Sequence, residues 1–498
     1  MEILQLIKLS KESTLPLYTQ LYLKLKEMII GGILPPDSRM PSIRQLANGL
    51  KINQVTGVSA YRQLESEGYI YTRAGSGSCV TRILPISIQE NEGDRLISDE
   101  IYQQEDLQLI RSGQIKIDAH TINFASATPT PDLFPVDDFK VVLNEVLERD
   151  KGLAFGYQES QGFYPLRQCL SDVLQKNAVP CTTENIQIIS GAQQGIDIIS
   201  KMFLKQGDYV ITESPTYTGA IAVFKSRGAE IADIELGEDG PNLNILEYNL
   251  KKYKPKFVYT IPSFQNPTGF SYSNAKREEI LKLVQKYNTY IIEDDYVSDL
   301  DFENRGFIPF KTMDNSDRVI FIKSFSKIFM PGLRLGFMIA PSHLQSRIQE
   351  AKHTSDISTS GFIQRAFDLY IRKGYWNRHF NYMYDTYNKR YCSMTNCLDQ
   401  NLPEDVTYAK PGGGLNIWLN LPYGYRTENL LKQAAAANIV FAPGKIFYSG
   451  NAPQMVNNIR LSFGAVHTHQ IEEGIPKLCN LLKAANSGRS PQVSIPIL

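Results

Sequence analysis

Residues 324–337 read SFSKIFMPGLRLGF, and they come directly after the apolar run RVIFIK at 318–323. A short run of β-branched and aromatic residues is typical of a buried strand. The polar residues Ser324, Ser326 and Lys327 are therefore expected at the carboxyl end of that strand. In open α/β sheets this end is where ligands bind. The stretch predicts both a buried sheet and a site at its edge.

Six further runs have the same strand-like character, and helical segments separate most of them. They are NIQIIS at 185–190, DYVITE at 208–213, EIADIEL at 230–236, KFVYTIP at 256–262, TYIIED at 289–294 and GFMIAP at 336–341. Strands that alternate with helices indicate an α/β domain built on a mainly parallel sheet. We assign this domain to residues 121–485 and expect a smaller α+β part towards its C-terminal end.

Hydrogen-bonding and reactive residues follow the predicted strands one after another. They are Ala192 and Gln193 in SGAQQG, Tyr217 in SPTY, Asn266 in QNPTG, Asp294 and Tyr296 in EDDY, and Ser324, Ser326, Lys327 and Arg334 in residues 324–337. Because the carboxyl ends of parallel strands lie along one edge of a sheet, we expect one crevice to collect these side chains. A helix that begins after Gly191 adds backbone N–H groups suited to an anion.

This set of side chains matches the needs of one kind of chemistry. A lysine in a dry pocket can lose its proton and bond to a carbonyl group. A carboxylate keeps a pyridine nitrogen protonated, and hydroxyls, backbone N–H groups and an arginine hold a phosphate. Ser324 and Lys327 also fit S-x-x-K, the nucleophile motif of penicillin-binding proteins, but the S-D-N and K-T-G partners of that motif do not occur in the sequence. The β-lactamase interpretation is therefore rejected.

The motifs SGAQQG, QNPTG, EDDY and SFSKIFMPGLRLGF together resemble the fold-type I, aminotransferase class of pyridoxal 5′-phosphate enzymes over about residues 121–485. The resemblance implies that Lys327 bonds covalently to the cofactor and that Asp294 pairs with its pyridine nitrogen. The implied contacts to the ring come from Asn266, Tyr296 and Tyr217. The implied phosphate ligands are Ala192, Gln193, Ser324, Ser326, Arg334 and, from a second subunit, Tyr157. Arg460, in NNIRLSFG, matches the arginine that binds a substrate carboxylate.

The first 82 residues carry a different pattern. An apolar face over 17–29 predicts a helix, Ser42 is a natural N-cap for a second helix at 43–50, and a third is expected over about 54–67. YIYTR and SCVTR then flank a glycine-rich tip, as in a β-hairpin. Three helices and a hairpin form a winged helix-turn-helix, in which the third helix enters the major groove of DNA.

PSIRQLA at 41–47, AYRQLESEGYI at 60–70 and RAGSGSCV at 73–80 closely resemble the GntR-type winged helix. The resemblance implies a phosphate contact from Arg44 and base contacts from the start of the third helix. The residues implied in these base contacts and in the wing are Gln54, Thr56, Gly75 and Gly77. Such proteins usually open the third helix with Ser-Arg, whereas this chain has Asn-Gln at 53–54. Glutamine can contact adenine bidentately, but it does not replace the guanine contact of arginine.

Charge and composition agree with a small DNA-binding module on a larger globular domain. Residues 1–82 carry ten Lys/Arg against six Asp/Glu, a net charge of +4 in a chain whose total is zero. Residues 83–120, with eight acidic and three basic residues, are predicted to be a linker that holds a short helix at about 101–110, and residues 486–498 a loose tail. Without an apolar run of membrane length, a secretory signal or a CxxC pair, a cytoplasmic protein with no membrane span, disulfide or metal site is expected.

The combination of the two domains resembles the MocR/GabR-type regulators of the GntR family over nearly the whole sequence. This resemblance implies a homodimer that binds double-stranded operator DNA and senses either a small amino compound or pyridoxal 5′-phosphate itself. GABA-responsive members carry an arginine two residues beyond the stacking tyrosine, where this chain has Gly219, so GABA is not the expected ligand. An active aminotransferase with a DNA-binding appendage is the alternative, because every catalytic group is present.

Overall fold

The computed structural model describes residues 7, 9, 16–30, 33–35, 37–66, 69–73, 77–81, 120–237, 239–422, 425, 427–450 and 457–487. The chain divides into two compact units, Met1–Ile97 and Ser98–Leu498. The division falls inside the segment 83–120 that the sequence predicts as a linker.

The described residues of the N-terminal unit form three helices and an antiparallel hairpin. Its elements are α1 (Leu17–Ile30), α2 (Ile43–Leu50), α3 (Gln54–Ser66), β1 (Ile70–Arg73) and β2 (Gly77–Val80). Ser42 caps α2, since its Oγ accepts the Gln45 N–H at 3.2 Å while Gln45 Oε1 accepts the Ser42 N–H at 3.0 Å. Leu21 and Leu25 of α1 are fully buried in the core of this unit. The predicted winged helix-turn-helix is confirmed; the wing glycine Gly75 and the helix predicted at about 101–110 lie outside the described residues.

The C-terminal unit is built around a seven-stranded sheet with the order β4-β10-β9-β8-β7-β5-β6. After β3 (Ile122–Asn123), its strands are β4 (Ile186–Ile189), β5 (Tyr209–Ser214), β6 (Glu230–Glu235), β7 (Phe257–Thr260), β8 (Tyr290–Asp295), β9 (Val319–Ser324) and β10 (Gly336–Ile339). Strands β5 to β9 pair in parallel, and β10 runs antiparallel to both of its neighbours. All the predicted runs are strands of this one sheet, and its mainly parallel character is confirmed.

The described residues of this unit also contain twelve α-helices, several of which lead from one strand of the large sheet to the next. They are α4 (Val136–Asp150), α5 (Tyr164–Lys176), α6 (Ala192–Phe203), α7 (Thr218–Ser226), α8 (Leu243–Tyr253), α9 (Asn274–Lys286), α10 (Phe310–Met313), α11 (Gln345–Asp356), α12 (Gly361–Arg372), α13 (Tyr375–Asn401), α14 (Thr427–Ala436) and α15 (Thr468–Ser487). In α6, for example, Ile196 and Ile199 belong to the same buried cluster as Ile189 of β4 and Ile322 of β9. Burial of such apolar faces is the main force that holds helix to sheet. No helix in the described ranges combines the length and apolarity that a bilayer crossing requires.

A smaller α+β part follows the sheet, as predicted. Its strands are β11 (Thr407–Tyr408), β12 (Asn416–Asn420), β13 (Ile439–Val440), β14 (Ala442–Pro443) and β15 (Asn458–Ser462). Four of them form an antiparallel sheet in the order β11-β12-β15-β14, while β13 pairs in parallel with β3. The buried residues of this part, such as Ile417 and Leu461, belong to the same apolar cluster as the large sheet. The two parts of the unit are therefore held by one continuous core.

Candidate functional site

A cavity of about 350 Å³ lies where the predicted site residues meet. Every cofactor-binding residue that the sequence predicts lines this cavity, with the exception of Tyr157. The lining includes Ala192, Gln193, Tyr217, Asn266, Asp294, Tyr296, Ser324, Ser326, Lys327 and Arg334, together with Arg460. The structure thus brings these side chains into one place, although they are spread over 268 positions of the sequence.

Lys327 lies just beyond β9 and is largely buried. The turn that carries it is fixed by a hydrogen bond from Tyr387 Oη to the Lys327 carbonyl at 2.9 Å. Burial, reinforced by the positive charges of Arg460 and Arg334, lowers the pKa of the Lys327 ammonium to about 8. Roughly a tenth of this lysine is therefore neutral at about pH 7, so it can act as a nucleophile.

Asp294, in β8, has one satisfied and one unsatisfied carboxylate oxygen. Its Oδ2 accepts a hydrogen bond from Tyr259 Oη at 2.7 Å. Its Oδ1 is buried and has no hydrogen-bond partner among the described residues. Burial raises the pKa of Asp294 to about 7, and the hydrogen bond from Tyr259 opposes that rise. A buried acceptor without a donor is unfavourable, and a protonated pyridine nitrogen is a donor that would satisfy it.

Arg460, in β15, is held by two acceptors and an aromatic ring. Its Nη1 donates to Asn266 Oδ1 at 2.8 Å, and its Nη2 donates to the Ala125 carbonyl. The guanidinium carbon lies 4.9 Å from the centroid of the Phe447 ring. Burial lowers the pKa of Arg460 to about 10, which still leaves it charged at neutral pH. The arginine is therefore a preformed cation that retains unused N–H groups for an anion.

The two tyrosines of the cavity are fixed by their own hydrogen bonds. Tyr296 Oη donates to the Phe264 carbonyl at 2.6 Å and accepts from Asn416 Nδ2 at 3.0 Å. Tyr217 Oη donates to Gln193 Oε1 at 3.2 Å. Sequence reasoning missed Asn416 because no motif marks its strand, and it missed Tyr259 because that residue lies within an apolar run and is read there as a core residue.

One end of the cavity is suited to a phosphate. Helix α6 begins there, and its N-cap residue Gly191 leaves the first N–H groups without a side-chain cap. Arg334 Nη2 donates to the Ser190 carbonyl at 2.8 Å, and a Cβ on Gly191 would lie 2.7 Å from that nitrogen. Ser324 Oγ donates to Ser326 Oγ at 3.0 Å. Backbone donors, hydroxyls and a guanidinium are the groups that bind phosphate in proteins.

Glu213, at the end of β5, is a buried carboxylate that sequence reasoning did not single out. Its oxygens accept hydrogen bonds from Thr260 Oγ1, the Ile261 N–H, Tyr272 Oη and Gln265 Nε2. Gln265 Nε2 also donates to the Pro215 carbonyl at 2.7 Å. Burial raises the pKa of Glu213, and these donors oppose the rise. The carboxylate thereby links the loop that carries Tyr217 to the loop that carries Asn266.

The cavity lining does not include Tyr157 or Gly219, two further residues that the sequence singled out. Tyr157 is 87% exposed, and Leu153 and Phe155, close to it in the sequence, are also exposed. Its contact with a second subunit stays a prediction. At Gly219 a Cβ would lie 2.5 Å from Tyr217 Cζ. With Tyr217 in this position, a side chain at residue 219 has no room. The expectation that the ligand differs from GABA stays a prediction.

The N-terminal unit presents a polar surface on its second and third helices. Arg44 and Gln54 are exposed, and Thr56 is half-buried. Val55, which sequence reasoning missed, is 67% exposed at the start of α3. Gly77 opens strand β2 with a φ of 86°, a left-handed conformation that suits the glycine of a tight wing.

Two protein families match the chain. The family described as aminotransferase class I and II matches residues 119–478, and the family described as bacterial regulatory proteins, gntR family, matches residues 17–80. The fold and the cavity thus define an aminotransferase-like domain joined to a DNA-binding winged helix.

Individual relatives reproduce one domain or both. Aromatic-amino-acid aminotransferase 1 of Thermococcus litoralis is 33% identical over 73% of this chain and 88% of its own length. The HTH-type transcriptional regulator YisV of Bacillus subtilis is 30% identical over 94% of this chain and 96% of its own. The probable rhizopine catabolism regulatory protein MocR of Rhizobium meliloti is 24% identical over 97% of each chain. Among solved structures, Pyrococcus horikoshii kynurenine aminotransferase in complex with PMP superimposes with a TM-score of 0.74 at 31% identity, over 80% of this chain and 99% of that one.

The chain belongs to the aminotransferase class I and II family and, through its N-terminal domain, to the MocR-type regulators of the gntR family. Pyridoxal 5′-phosphate is the cofactor that this family and its solved structures indicate. The cavity fits that cofactor in two respects. The pyridine nitrogen can donate to the unsatisfied oxygen of Asp294, and the phosphate can accept from the uncapped N–H groups at the start of α6.

Proposed function

We propose that this protein is a transcriptional regulator whose operator binding responds to a small amino compound, or to pyridoxal 5′-phosphate itself, bound in the cavity between Lys327, Asp294 and Arg460. The observation that supports the proposal is one cavity lined by the residues predicted to hold a cofactor and a carboxylate, in a chain that also has the third helix of a winged helix-turn-helix. A ligand shifts DNA binding only if it favours one arrangement of the protein over another.

Each side chain of the cavity has a distinct task in this proposal. Pyridoxal 5′-phosphate, when bound, supplies an aldehyde for an amine and an electron-withdrawing ring. Lys327 provides the protein amine, and its lowered pKa makes the neutral form accessible. Asp294 accepts a hydrogen bond from the protonated nitrogen of the ring. Arg460 binds the carboxylate of the ligand. Ser324, Ser326, Arg334 and the first residues of α6, Ala192 and Gln193, hold the phosphate.

On the DNA side, Arg44 is proposed to contact phosphate, and Gln54 to contact an adenine edge. The exposed methyl groups of Val55 suit the 5-methyl group of thymine, so the two neighbours together favour an A·T pair. Thr56 and the wing glycines Gly75 and Gly77 complete the proposed surface.

We also propose a homodimer that works in the cytoplasm, where operator DNA is found. Leu153 and Phe155 are 76% and 68% exposed, and Tyr157, two positions further on, is 87% exposed. Large exposed apolar side chains on one segment are what an interface between proteins would bury. Sedimentation of wild type and Phe155→Asp tests this assignment; a dimer that is equally stable in both would contradict it.

The experiment that tests the function uses the full-length protein loaded with pyridoxal 5′-phosphate. A duplex selected from a random-sequence library serves as operator, and its affinity is measured with and without a panel of amines and amino acids. We expect at least one compound to change both the cofactor absorption and the DNA affinity. Arg44→Ala should weaken binding to every duplex and reduce the salt slope by about 1, whereas Gln54→Ala should relax specificity at one position. Wild-type DNA binding in both variants would contradict the proposed reading surface.

The alternative is a working aminotransferase, and the completeness of the cavity favours it. The same preparation is mixed with an amino acid and a keto acid, and the keto acid is followed over time. Sustained consumption would make the chain an enzyme. A change in absorption that stops after one equivalent supports the sensor.

A further inference from the structure

The described residues supply the cavity with few charges. Its lining contains three cations, Lys327, Arg334 and Arg460, and one acid, Asp294. Arg334 lies at the phosphate end beside the start of α6, and Lys327 and Asp294 serve the cofactor. Among the described residues of one chain, Arg460 is therefore the cation that is left for the carboxylate of a ligand, and no lining acid is left for a second ammonium group.

The guanidinium of Arg460 can take one carboxylate in a fork. An arginine side chain has five N–H donors. Two of its nitrogens already donate, to Asn266 Oδ1 and to the Ala125 carbonyl, and these bonds set the plane of the group. Each terminal nitrogen keeps a second hydrogen, which allows bidentate binding of a carboxylate.

The wall around this arginine is hydrocarbon. Phe447 lies against the guanidinium, and Ala442 pairs with Arg460 across β14 and β15. The apolar lining of the cavity consists of Ala125, Ala127, Ile261, Phe441, Ala442, Pro443, Ile446 and Phe447. Alanines at several of these positions leave room for a bulky group. A charged side chain placed there would lose its hydration without gaining a partner.

We propose that the cavity selects α-amino acids that have a single carboxylate and an apolar side chain, and that Ile446 and Phe447 are its specificity-determining residues. This inference rests on the proposed function, since it names the class of amino compound that the cavity takes.

The test compares amino acids of similar shape and different charge on the pyridoxal 5′-phosphate-loaded, full-length protein. Leucine is paired with aspartate, and norleucine with glutamate and lysine; phenylalanine and GABA complete the panel. Affinity is read from the change in cofactor absorption. Leucine, norleucine and phenylalanine are expected to bind roughly 100-fold more tightly than their charged counterparts.

Aspartate, glutamate or lysine that binds as tightly as its apolar counterpart would overturn the specificity and leave the sensor proposal intact. A panel in which no amino acid changes either the absorption or the DNA affinity would overturn the specificity and the amino-compound form of the sensor proposal, and would leave pyridoxal 5′-phosphate as the proposed effector.

Two variants test whether the apolar lining of the cavity causes the preference for apolar side chains. Ile446→Asn should lower the affinity for leucine at least about tenfold and leave the affinity for aspartate unchanged, because the substitution removes apolar contact alone. Ile245→Asn is the matched control, since Ile245 lies in α8, is 37% exposed and does not line the cavity. Ala127→Arg adds a cation, and it should raise the affinity for aspartate relative to leucine even if Ile446→Asn fails to fold. An unchanged ratio of aspartate to leucine in Ala127→Arg would contradict the proposal.

Discussion

Replacing Tyr259 by phenylalanine removes one hydroxyl from beneath the cofactor cavity and tests the role of Asp294. The ring itself stays packed against Phe224, with centroids 5.5 Å apart. A hydrogen bond to a charged group contributes about 1.5–3 kcal/mol, which corresponds to a pKa change of about one to two units. Because the bond from Tyr259 lowers the pKa of Asp294, its loss should raise that pKa from about 7 to about 8–9.

A pyridine nitrogen that carries a proton requires the ionised form of Asp294. At about pH 7 the ionised fraction should fall from roughly a half in the wild type to roughly a tenth or a hundredth in Tyr259→Phe. The affinity for pyridoxal 5′-phosphate should therefore fall about 5- to 50-fold at this pH. The difference should vanish above about pH 9.5, where both carboxyls are ionised.

The assay is a fluorescence titration of cofactor-free protein with pyridoxal 5′-phosphate between about pH 6 and 10. Tyr370→Phe is the matched control, because the buried Tyr370 hydroxyl has no hydrogen-bond partner among the described residues. That variant should bind like the wild type at every pH. Wild-type affinity of Tyr259→Phe at neutral pH, or a deficit of the same size at pH 7 and 9.5, would refute the reasoning.

Three further substitutions test neighbouring contacts. Lys327→Met removes a buried ammonium whose pKa is lowered from about 10.5 to about 8, so cofactor-free protein should gain about 3 kcal/mol against urea at pH 7. The gain should shrink as pH rises from about 8 to 10.5, because the wild-type lysine then loses its proton; equal gains at pH 7 and 10 would contradict this assignment. Glu213→Gln should lower the free energy of unfolding in urea by about 2 kcal/mol and lower the affinity for pyridoxal 5′-phosphate about tenfold. Unchanged cofactor affinity would argue against the role of Glu213 in linking the two loops. Gly219→Ala should also lower the affinity for the cofactor about tenfold, because the added Cβ displaces Tyr217. Gly152→Ala is the control and should leave the affinity unchanged, because a Cβ at residue 152 meets no atom within 4 Å.

The sequence predicted the fold because the signals that decide it are local. Most strands of the large sheet are short runs rich in β-branched or aromatic residues, and the capping box at Ser42 marks the start of the second helix. The reversed direction of β10 could not be predicted, since a buried strand has the same apolar pattern in either direction. Pairing with β4, 147 positions earlier at Gly336 and Ile189, depends on contacts that no local pattern encodes.

The candidate site was predicted where residues follow strands and was missed where they lie inside them. Asp294 lies at the carboxyl end of β8 and is an acidic residue, so its position and its chemistry together predicted a role in the site. Tyr259 lies within an apolar run and is brought to Asp294 only by the parallel pairing of β7 with β8. Val55 went unnoticed because an apolar residue in an amphipathic helix is normally buried.

The carboxylate of Glu213 has a consequence for attempts to redesign the ligand preference. The loops after β5 and β7 share this one acceptor through Gln265, so neither loop is an independent module. A loop grafted alone from a related aminotransferase would leave a buried charge or amide without its counterpart. We expect the cavity to fold when both loops are exchanged together, with Glu213 and Gln265 included. The two loops therefore form a single structural unit at this site.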